Sequence, residues 1–403
     1  RPGSPFMSEL PIVIAGGGIG GFAAALALAR KGRAVKLIEQ ADDFSEVGAG
    51  IQLGPNIMRM FDVLGVTEAI AAAAVYPDML LMRDGLSGEH LVEIPLGPEF
   101  EAAFGRRYGV IFRPDLHNAL IQAAKASPLV ETVTGIRVAC YVKDGDKVRV
   151  ETEGGGEVIG CGLIGADGLW SAVRAQLVGD GGPRVSGHIA YRAVLPIDRV
   201  PPHMGTHRVT LWAGPKTHLV TYPLRRGEIF NIVAVFHSDR YEQGWDVYGD
   251  PDELYDRFGR QHEDVRAMID RIESWRMWVL CDREPISSWT DGRVTLLGDA
   301  AHPTLQYMAQ GANMAVEDAV CLAHLVDERK GDIAAAFAEY PKRRYLRTAR
   351  VQLTSRFYGD VFHAEGATRE LRNTLLPRRT PEQAYQGMAW LYGGVDDAGG
   401  QII

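Results

Sequence analysis

PIVIAGGGIGGFAAALALARKGRAVKLIEQ, residues 11–40, decides the fold. Its β-branched start, Ile12 to Ala15, reads as a short strand. The pattern Gly16-x-Gly18-x-x-Gly21 ends that strand, and an Ala/Leu-rich helix runs from there to about Lys31-Gly32. A second strand, Val35 to Ile38, closes on Glu39. Each part has a task if the segment binds a dinucleotide. Gly16 permits the tight turn, Gly18 lets backbone N–H groups approach a pyrophosphate, and Gly21 allows close helix–strand packing, while the helix N-terminus favours the anion. Glu39 is placed to bond ribose hydroxyls, and an acid there favours an adenosine ribose without a phosphate. A lone GxGxxG is a weak signal. Strand, helix, second strand and terminal acid in this order make it a strong one. FAD and NAD exploit the same physics, so this segment alone leaves the dinucleotide open.

The rest of the chain bounds the answer. With 403 residues it is long enough for two or three units with their own cores, and 46% hydrophobic and 23% charged residues are ordinary for a globular protein. A net charge of −8 without a long Lys/Arg run argues against nucleic acid as a partner. The uncharged run from Ile12 to Ala29 is broken by GGGIGG into strand and helix, so no membrane span is expected. Residues 1–6 precede Met7 and are set aside. Cys140, Cys161, Cys281 and Cys321 lie far apart and form no CxxC pair, which fits reduced thiols in a cytoplasmic protein.

Three further stretches place polar residues at strand ends. In RYGVIFRPDLHNALIQAA, Arg113 follows a short apolar strand and precedes a helix that starts near Pro114-Asp115. It could face dinucleotide phosphates, or simply pair with Asp115 at the surface. GCGLIGADGLWSAVRAQL gives a strand, then Asp167-Gly168, then a helix carrying Arg174. VTLLGDAAHP is a third strand, ending at Gly298-Asp299, where a buried carboxylate is expected. Sites this far apart in sequence converge on one crevice when the strands are parallel neighbours, because ligands of open α/β sheets bind at strand carboxyl ends.

The stretch from about Gly187 to Glu284 reads differently, as consecutive antiparallel strands with a hairpin at Arg225-Arg226-Gly227 and a helical segment from Pro251 to Ile272. In THLVTYPL, alternation puts His218, Val220 and Tyr222 on one face. An imidazole and a phenol projecting together suit a pocket that reads a phenol or a carboxylate. For His218 alone, a satisfied sheet histidine is the plain alternative. His188, His203, His207 and His237 show no metal-ligand spacing, so no metal is expected. Trp275, Trp278 and Trp289 read as packing residues. KRRYLRTAR, residues 342–350, reads as a solvated basic helix face with its Tyr and Leu turned inward.

Taken together, the GxGxxG start with Glu39, the Asp167-Gly168 pair and the GDAAHP motif resemble the FAD-dependent aromatic hydroxylases, the single-component (class A) flavoprotein monooxygenases. The resemblance runs from Leu10 to about Tyr392. It implies an α/β fold: a Rossmann-like FAD-binding domain with an inserted mixed β-sheet substrate domain and a helical C-terminal region. The expected boundaries are 7–80, 108–185 and 285–330 for the FAD-binding parts, 81–107 and 186–284 for the substrate domain, and 331–403 for the C-terminal helices. The resemblance further implies FAD held by Gly16, Gly18, Gly21, Glu39, Arg113, Asp167, Gly168 and Asp299. Asp167 would also serve the approach of a nicotinamide cofactor, NADH with NADPH possible, and Asp299 would bond the ribityl chain. The helix starting near Gly311 would turn the backbone N–H groups of Ala312 and Asn313 toward the flavin pyrimidine edge, stabilising negative charge there. Glu317, Asp318 and His302 take structural roles in this reading.

The same resemblance, through GPKTHLVTYPLRRGE and the LQYMAQGA loop, sets His218 and Gln306 at the substrate phenol, with Tyr222 near its other polar groups and Tyr108 lining the cavity. His218 would act as general base with a pKa near the working pH. The implied reaction uses NADH and O2, through a flavin C4a-hydroperoxide, to hydroxylate 3-hydroxybenzoate para to its phenol and give 2,5-dihydroxybenzoate. A decarboxylating hydroxylation of salicylate or a hydroxynicotinate is the alternative within the family. A cytoplasmic homodimer with a small aromatic acid as substrate completes the expectation.

Overall fold

A crevice at strand carboxyl ends is built by a six-stranded sheet in a computed structural model that describes residues 10–44, 48–240 and 247–401. Residues 1–6 and Met7 lie outside the described residues. The strand order is Thr290–Asp291, Val294–Leu296, Gly162–Gly165, Ile12–Ala15, Val35–Ile38 and Val130–Val133. All neighbours are parallel except the first pair, which is an antiparallel hairpin. Parallel pairing is what gathers Gly16, Glu39, Asp167 and Asp299 at one edge, the carboxyl ends of four adjacent strands. The ladder continues past the strands: Gly16 N donates to Ile38 O at 2.8 Å, Ala166 N to Ala15 O at 2.8 Å and Leu297 N to Gly165 O at 2.9 Å.

The helix Ile19–Arg30 is apolar on every side because it is covered on every side, by the sheet and by the helices Gly311–Glu328 and Arg113–Lys125. Its glycines make the contact close. A Cβ on Gly21 would lie 1.9 Å from Gly16 O, and one on Gly20 3.3 Å from Ala315 Cβ. Among the described residues no helix is long and apolar enough to cross a membrane.

A second, seven-stranded sheet carries the other half of the molecule. Its order is Arg276–Asp282, Arg184–Pro196, Ile229–His237, Thr217–Leu224, Arg208–Gly214, Met79–Asp84 and His90–Pro95. Every pair is antiparallel except Arg208–Gly214 with Met79–Asp84, which is parallel, so the sheet is mixed. The hairpin turn falls at Arg225–Gly227, with φ of +47° at Arg225 and +56° at Arg226. Strand alternation divides its faces. Ile189, Tyr191, Trp212, Leu219, Phe230, Ile232 and Phe236 pack with Leu254, Phe258, Val265 and Met268 of the helices Pro251–Phe258 and Glu263–Ile269. The opposite face carries His188, Arg192, His218, Val220, Tyr222, Asn231, Val233 and His237, as the register requires. Helices Ile333–Phe362, Gly366–Leu375 and Pro381–Tyr392 complete the C-terminal region.

The long helix Ile333–Phe362 departs from expectation. Arg344 and Arg347 are buried and Leu346 is 62% exposed, so the basic stretch points two of its guanidiniums inward and its leucine out, while Lys342 and Arg350 stay exposed. The reason is a pair of buried acids. Glu317 accepts from Arg344 Nη1 and Arg347 Nε at 2.7 Å each, and Asp318 accepts from Arg344 Nε at 2.7 Å. Buried carboxylates need such partners, and the arginines supply them at the expense of helix amphipathicity. Asn56 Nδ2 also donates to Glu317 at 2.7 Å. Trp275 and Trp289 are buried, as packing residues would be.

Candidate active site

At the glycine turn the structure holds a cradle shaped for a phosphate. Gly16 has φ +112°, and a Cβ there would lie 2.2 Å from Ala166 O. Gly18 is the opposite case: a Cβ would meet nothing within 4 Å, so its flank opens to the crevice. The first helical bond runs from Phe22 N to Gly18 O at 3.0 Å. Ahead of it, the amides of Ile19, Gly20 and Gly21 have no acceptor among the described residues, which is the arrangement an anion fills. Glu39 closes the turn, accepting from Gly17 N at 2.6 Å and Ala41 N at 2.9 Å. His117, which nothing in the sequence singles out, fixes the same turn with Nε2 at 2.6 Å from Gly17 O.

Arg113 opens the helix Arg113–Lys125, and its backbone N donates to Ala49 O at 2.8 Å. The simple surface pairing with Asp115 is not what forms: Asp115 accepts from Arg225 at 3.1 and 3.2 Å. The charge of Arg113 also reaches Asp299, where it offsets part of the rise that burial gives the carboxyl.

Asp167 sits directly behind the glycine turn and turns both oxygens to the next helix. It accepts from Ser171 Oγ, from Ala172 N at 2.9 Å and from Val173 N at 3.3 Å, while burial pushes its carboxyl up. Gly168 follows with φ +77° and open space where a Cβ would be. Arg174, from that short helix, is fully buried and donates Nη1 to Ala300 O at 3.0 Å and Ala301 O at 2.7 Å. The Asp167-Gly168 and GDAAHP motifs are thus bolted together.

The buried carboxylate expected at the end of VTLLGD is a correction. Asp299 is exposed to the crevice, because the turn Gly298–Ala300, with Gly298 at φ +64°, packs Ala300 inward and leaves Asp299 outward. The surrounding protein still displaces bulk water, and this desolvation raises its carboxyl despite the charges of His302 and Arg113. The buried acid of this motif is Asp318. It accepts from Gly298 N at 3.1 Å and lies 2.5 Å from His302 Nε2, so His302 holds the loop.

The helix Gly311–Glu328 starts beside Asp299, whose Oδ1 is 3.9 Å from where a Cβ on Gly311 would sit. Its first bond is Met314 N to Gln310 O at 2.9 Å, leaving the amides of Gly311, Ala312 and Asn313 without an acceptor among the described residues. The Asn313 side chain is committed elsewhere. It accepts from Gly54 N at 3.1 Å and donates to Gln52 O at 3.1 Å, pinning the end of strand Gly50–Leu53. Two helix starts with free amides, a glycine with an open flank and an exposed acid at strand ends fit an extended dinucleotide with a polyol chain.

The sheet face above the crevice has two polar ends. At one end Tyr222 packs against Gly50, where a Cβ would lie 2.3 Å from its ring, and Asn231 Oδ1 accepts from Gly50 N at 3.1 Å. Tyr108 joins this cluster and donates its hydroxyl to Gln52 Oε1 at 2.5 Å. Between the ends, Arg192 donates Nη2 to Gln306 Oε1. Sequence reasoning misses Arg192 because nothing local marks it. Its Nε is buried without a partner, no carboxylate pairs with it among the described residues, and burial pushes its pKa down to about 10.

At the other end His218 is buried beside three more imidazoles. His218 Nδ1 lies 2.7 Å from His363 Nε2, His363 Nδ1 lies 3.0 Å from His237 Nε2, and His188 Nδ1 lies 2.5 Å from Tyr307 Oη. Burial, then the neighbouring His188, push His218 down to about 3, not to the near-neutral value expected of a free-standing base. Linear spacing does not show that these rings cluster. Strand pairing sets His188 opposite His237, and their ring nitrogens come within 4.8 Å of one of His363.

The comparisons agree with this geometry. A family model described as an FAD binding domain matches residues 9–338. The 3-hydroxybenzoate 6-hydroxylase of Polaromonas naphthalenivorans (strain CJ2) is 46% identical over 96% of this chain and 96% of its own. The 3-hydroxybenzoate 6-hydroxylase 1 of Aquipseudomonas alcaligenes is 44% identical over 95% of this chain and 97% of its own. Among solved structures, Klebsiella pneumoniae HpxO complexed with FAD and uric acid superposes with a TM-score of 0.84 at 27% identity, covering 95% of this chain and 96% of that one. A salicylate hydroxylase substrate complex gives a TM-score of 0.82 at 25% identity, with 98% of each chain covered. With the glycine cradle, the strand-end acids and the roofing sheet all in place, the chain belongs to the FAD-dependent aromatic hydroxylases, the single-component flavoprotein monooxygenases.

Proposed function

We propose that this enzyme hydroxylates 3-hydroxybenzoate para to its phenol, giving 2,5-dihydroxybenzoate, with NADH and O2 as co-substrates. The observation that carries the substrate class is Arg192: a half-buried guanidinium between the two polar ends of the sheet face, its Nε buried without a partner and with no acid of its own among the described residues. A cation drawn out of water without a counter-charge is costly, and an aromatic carboxylate resolves that cost with charge-assisted hydrogen bonds. The names of the relatives narrow the acid to 3-hydroxybenzoate.

Gly16, Gly18, Gly21, Glu39, Arg113, Asp167, Gly168 and Asp299 would hold FAD, with the amides of Ala312 and Asn313 near its flavin. Bound FAD supplies the electrons drawn from NADH and the activation of oxygen. The chain's own residues do the rest. Arg192 and Tyr222 hold the carboxylate end, and Tyr108 closes the wall behind them. Gln306, held by Arg192, orients the phenol oxygen. His218 accepts the phenol proton through Nε2, the nitrogen that no described residue hydrogen-bonds. Loss of that proton pushes electron density onto the para carbon, which is the position attacked. Val220, Val233 and Val235 line the face between and exclude water. Cys140, Cys161, Cys281 and Cys321 form no disulfide among the described residues, which supports a cytoplasmic setting, and the exposed Leu346, Leu353 and Phe357 on helix Ile333–Phe362 support a homodimer.

The test is aerobic turnover of the FAD-loaded protein with NADH and 3-hydroxybenzoate, with the product identified by chromatography. 2,5-Dihydroxybenzoate formed in step with NADH loss is expected. Catechol with CO2 release from salicylate, and no reaction of 3-hydroxybenzoate beyond H2O2, would overturn the proposal in favour of a decarboxylating hydroxylase.

A further inference from the structure

His363 is the only imidazole among the described residues with both ring nitrogens in contact with other imidazoles. Nε2 meets His218 Nδ1 at 2.7 Å and Nδ1 meets His237 Nε2 at 3.0 Å. It lies at the C-terminal end of the helix Ile333–Phe362, 145 residues from His218 in sequence. The three rings form one line. It begins at His218, which is 2% exposed, passes through His363 at 5%, and ends at the half-buried His237. His237 faces Lys216, Glu365, Arg257 and Asp360 at the protein surface.

A metal site is the first alternative for clustered imidazoles. The nitrogens of His188, His237 and His363 are close enough, but the rings of His188 and His237 stack at 4.2 Å with planes only 19° apart. Imidazole lone pairs lie in the ring plane, so two stacked rings cannot both aim at one ion. The contacts that do form in the line are hydrogen bonds between a donor and an acceptor nitrogen.

We propose that His218, His363 and His237 form a proton relay that carries the phenol proton of the bound substrate from the buried sheet face to solvent. The inference rests on the reading of His218 as the phenol's hydrogen-bond acceptor. The phenol O–H bond breaks as His218 Nε2–H forms. His218 Nδ1 passes its proton to His363 Nε2, His363 Nδ1 passes its own to His237 Nε2, and His237 Nδ1 releases one to water. One proton leaves the phenol, one reaches solvent, and each ring ends neutral in its other tautomer. Reprotonation of the product phenol runs the line backwards and restores the tautomers.

The relay also accounts for the electrostatics of the cluster. Burial is the largest cause depressing every imidazole in the line, joined by His188 at His218, by the neighbouring imidazoles at His363 and by Lys216 at His237, so the neutral forms are favoured at neutral pH. A buried imidazole that binds a proton so weakly is a poor base alone. As the first member of a chain it need not hold the proton, only pass it on. His363 and His237 are then positioning residues that never touch the substrate.

The experiment compares FAD-loaded wild type, His363→Ala and His218→Ala for substrate affinity, read from the flavin spectrum, and for aromatic product formed per NADH. In His363→Ala the relay predicts product formation lowered about ten- to a hundredfold, with substrate affinity within about threefold of wild type. Added imidazole should restore most of the rate, whereas 1-methylimidazole, which has the same ring but only one exchangeable nitrogen, should not. Equal rescue by both would show that His363 merely fills space, and a wild-type rate in His363→Ala would overturn the relay outright. If His218→Ala is slow while His363→Ala is fast, only the relay has failed. If both are fast, the phenol-acceptor reading of His218 has failed as well. Should His363→Ala not fold, His237→Ala at the half-buried end takes the same rescue test: rescue by imidazole alone supports the relay, and equal rescue by both compounds overturns it.

Discussion

Arg174 reaches across 126 residues of sequence to place its Nη1 3.0 Å from the carbonyl oxygen of Ala300, and the same nitrogen lies 2.7 Å from that of Ala301. Its other side pairs with Asp180 at 2.6 Å. The guanidinium is fully buried, and it holds the turn that presents Asp299 to the crevice. Arg174→Met keeps much of the volume but strands two carbonyls and leaves Asp180, among the described residues, with Arg283 alone. Losing one partner of such a set costs about 3 kcal/mol. Urea unfolding should show that loss in the apoprotein, and FAD titration should show weakened binding. Unchanged FAD affinity in a destabilised variant would mean that the turn does not depend on this tie.

The glycine turn allows a cleaner separation of folding from binding. Gly18 has φ −76° and ψ −172°, an extended conformation open to any residue, and a Cβ there meets nothing within 4 Å. Gly18→Ala should therefore leave apoprotein stability unchanged or raise it by about 0.5 kcal/mol. The methyl would occupy the space a phosphate needs, so FAD affinity should fall by about tenfold or more. Gly21→Ala should do the reverse in kind, because its Cβ would overlap Gly16 O at 1.9 Å and cost about 3 kcal/mol of stability. Thermal melts with and without FAD read both. A Gly18→Ala protein that binds FAD like wild type would remove Gly18 from the phosphate site.

How much of this is legible in the sequence follows from the range of each interaction. The strand–turn–helix at Ile12 to Arg30 is local, so spacing alone reveals it. The shared face of His218, Val220 and Tyr222 needs only strand alternation, and it is legible too. Asp299 reads as buried because its neighbours are apolar, but the positive φ of Gly298 reverses its direction. The inward Arg344 and Arg347 read as solvated because their partners, Glu317 and Asp318, lie on another helix. The imidazole cluster is invisible for the same reason: His188 and His237 meet by strand register, and His363 arrives from the end of a thirty-residue helix. Composition and periodicity report local order, and long-range pairing escapes them.

That cluster makes the fold sensitive to mild acid. Burial pushes His188 down to about 4 and His218 to about 3, and it lowers His363 and His237 as well. Unfolded histidines bind protons near pH 6.5, so between that pH and about 4 the unfolded chain holds more protons than the native one. Stability should therefore rise with pH across this window, by about 1.4 kcal/mol per pH unit for each proton involved. Asp318, held down to about 2 by His302 and Arg344, adds a second loss only below about pH 4. Urea unfolding at several pH values should show the first slope in wild type and a shallower one in His363→Phe. A flat profile from pH 6.5 to 4 would contradict the neutral, buried state of these rings.

On the proposed reading Arg192 and Gln306 divide the work of substrate recognition, and their variants should fail differently. Arg192→Met removes the charge while keeping an apolar side chain on the sheet face. Losing a charge-assisted hydrogen bond of about 2 kcal/mol should weaken 3-hydroxybenzoate roughly 30-fold. A neutral analogue such as 3-hydroxybenzyl alcohol, which has no carboxylate, should bind the variant and wild type alike. Gln306→Ala leaves the guanidinium in place, so 3-hydroxybenzoate affinity should change little. The phenol would lose its orientation, and more of the NADH consumed should appear as H2O2. Because Arg192 donates to Gln306, the arginine variant should also uncouple, and the double variant should be no worse in coupling than the poorer single. Affinity measured by spectral titration and coupling measured as product per NADH separate the two roles. If Arg192→Met weakens the neutral analogue as much as the acid, the guanidinium shapes the pocket and does not read the carboxylate.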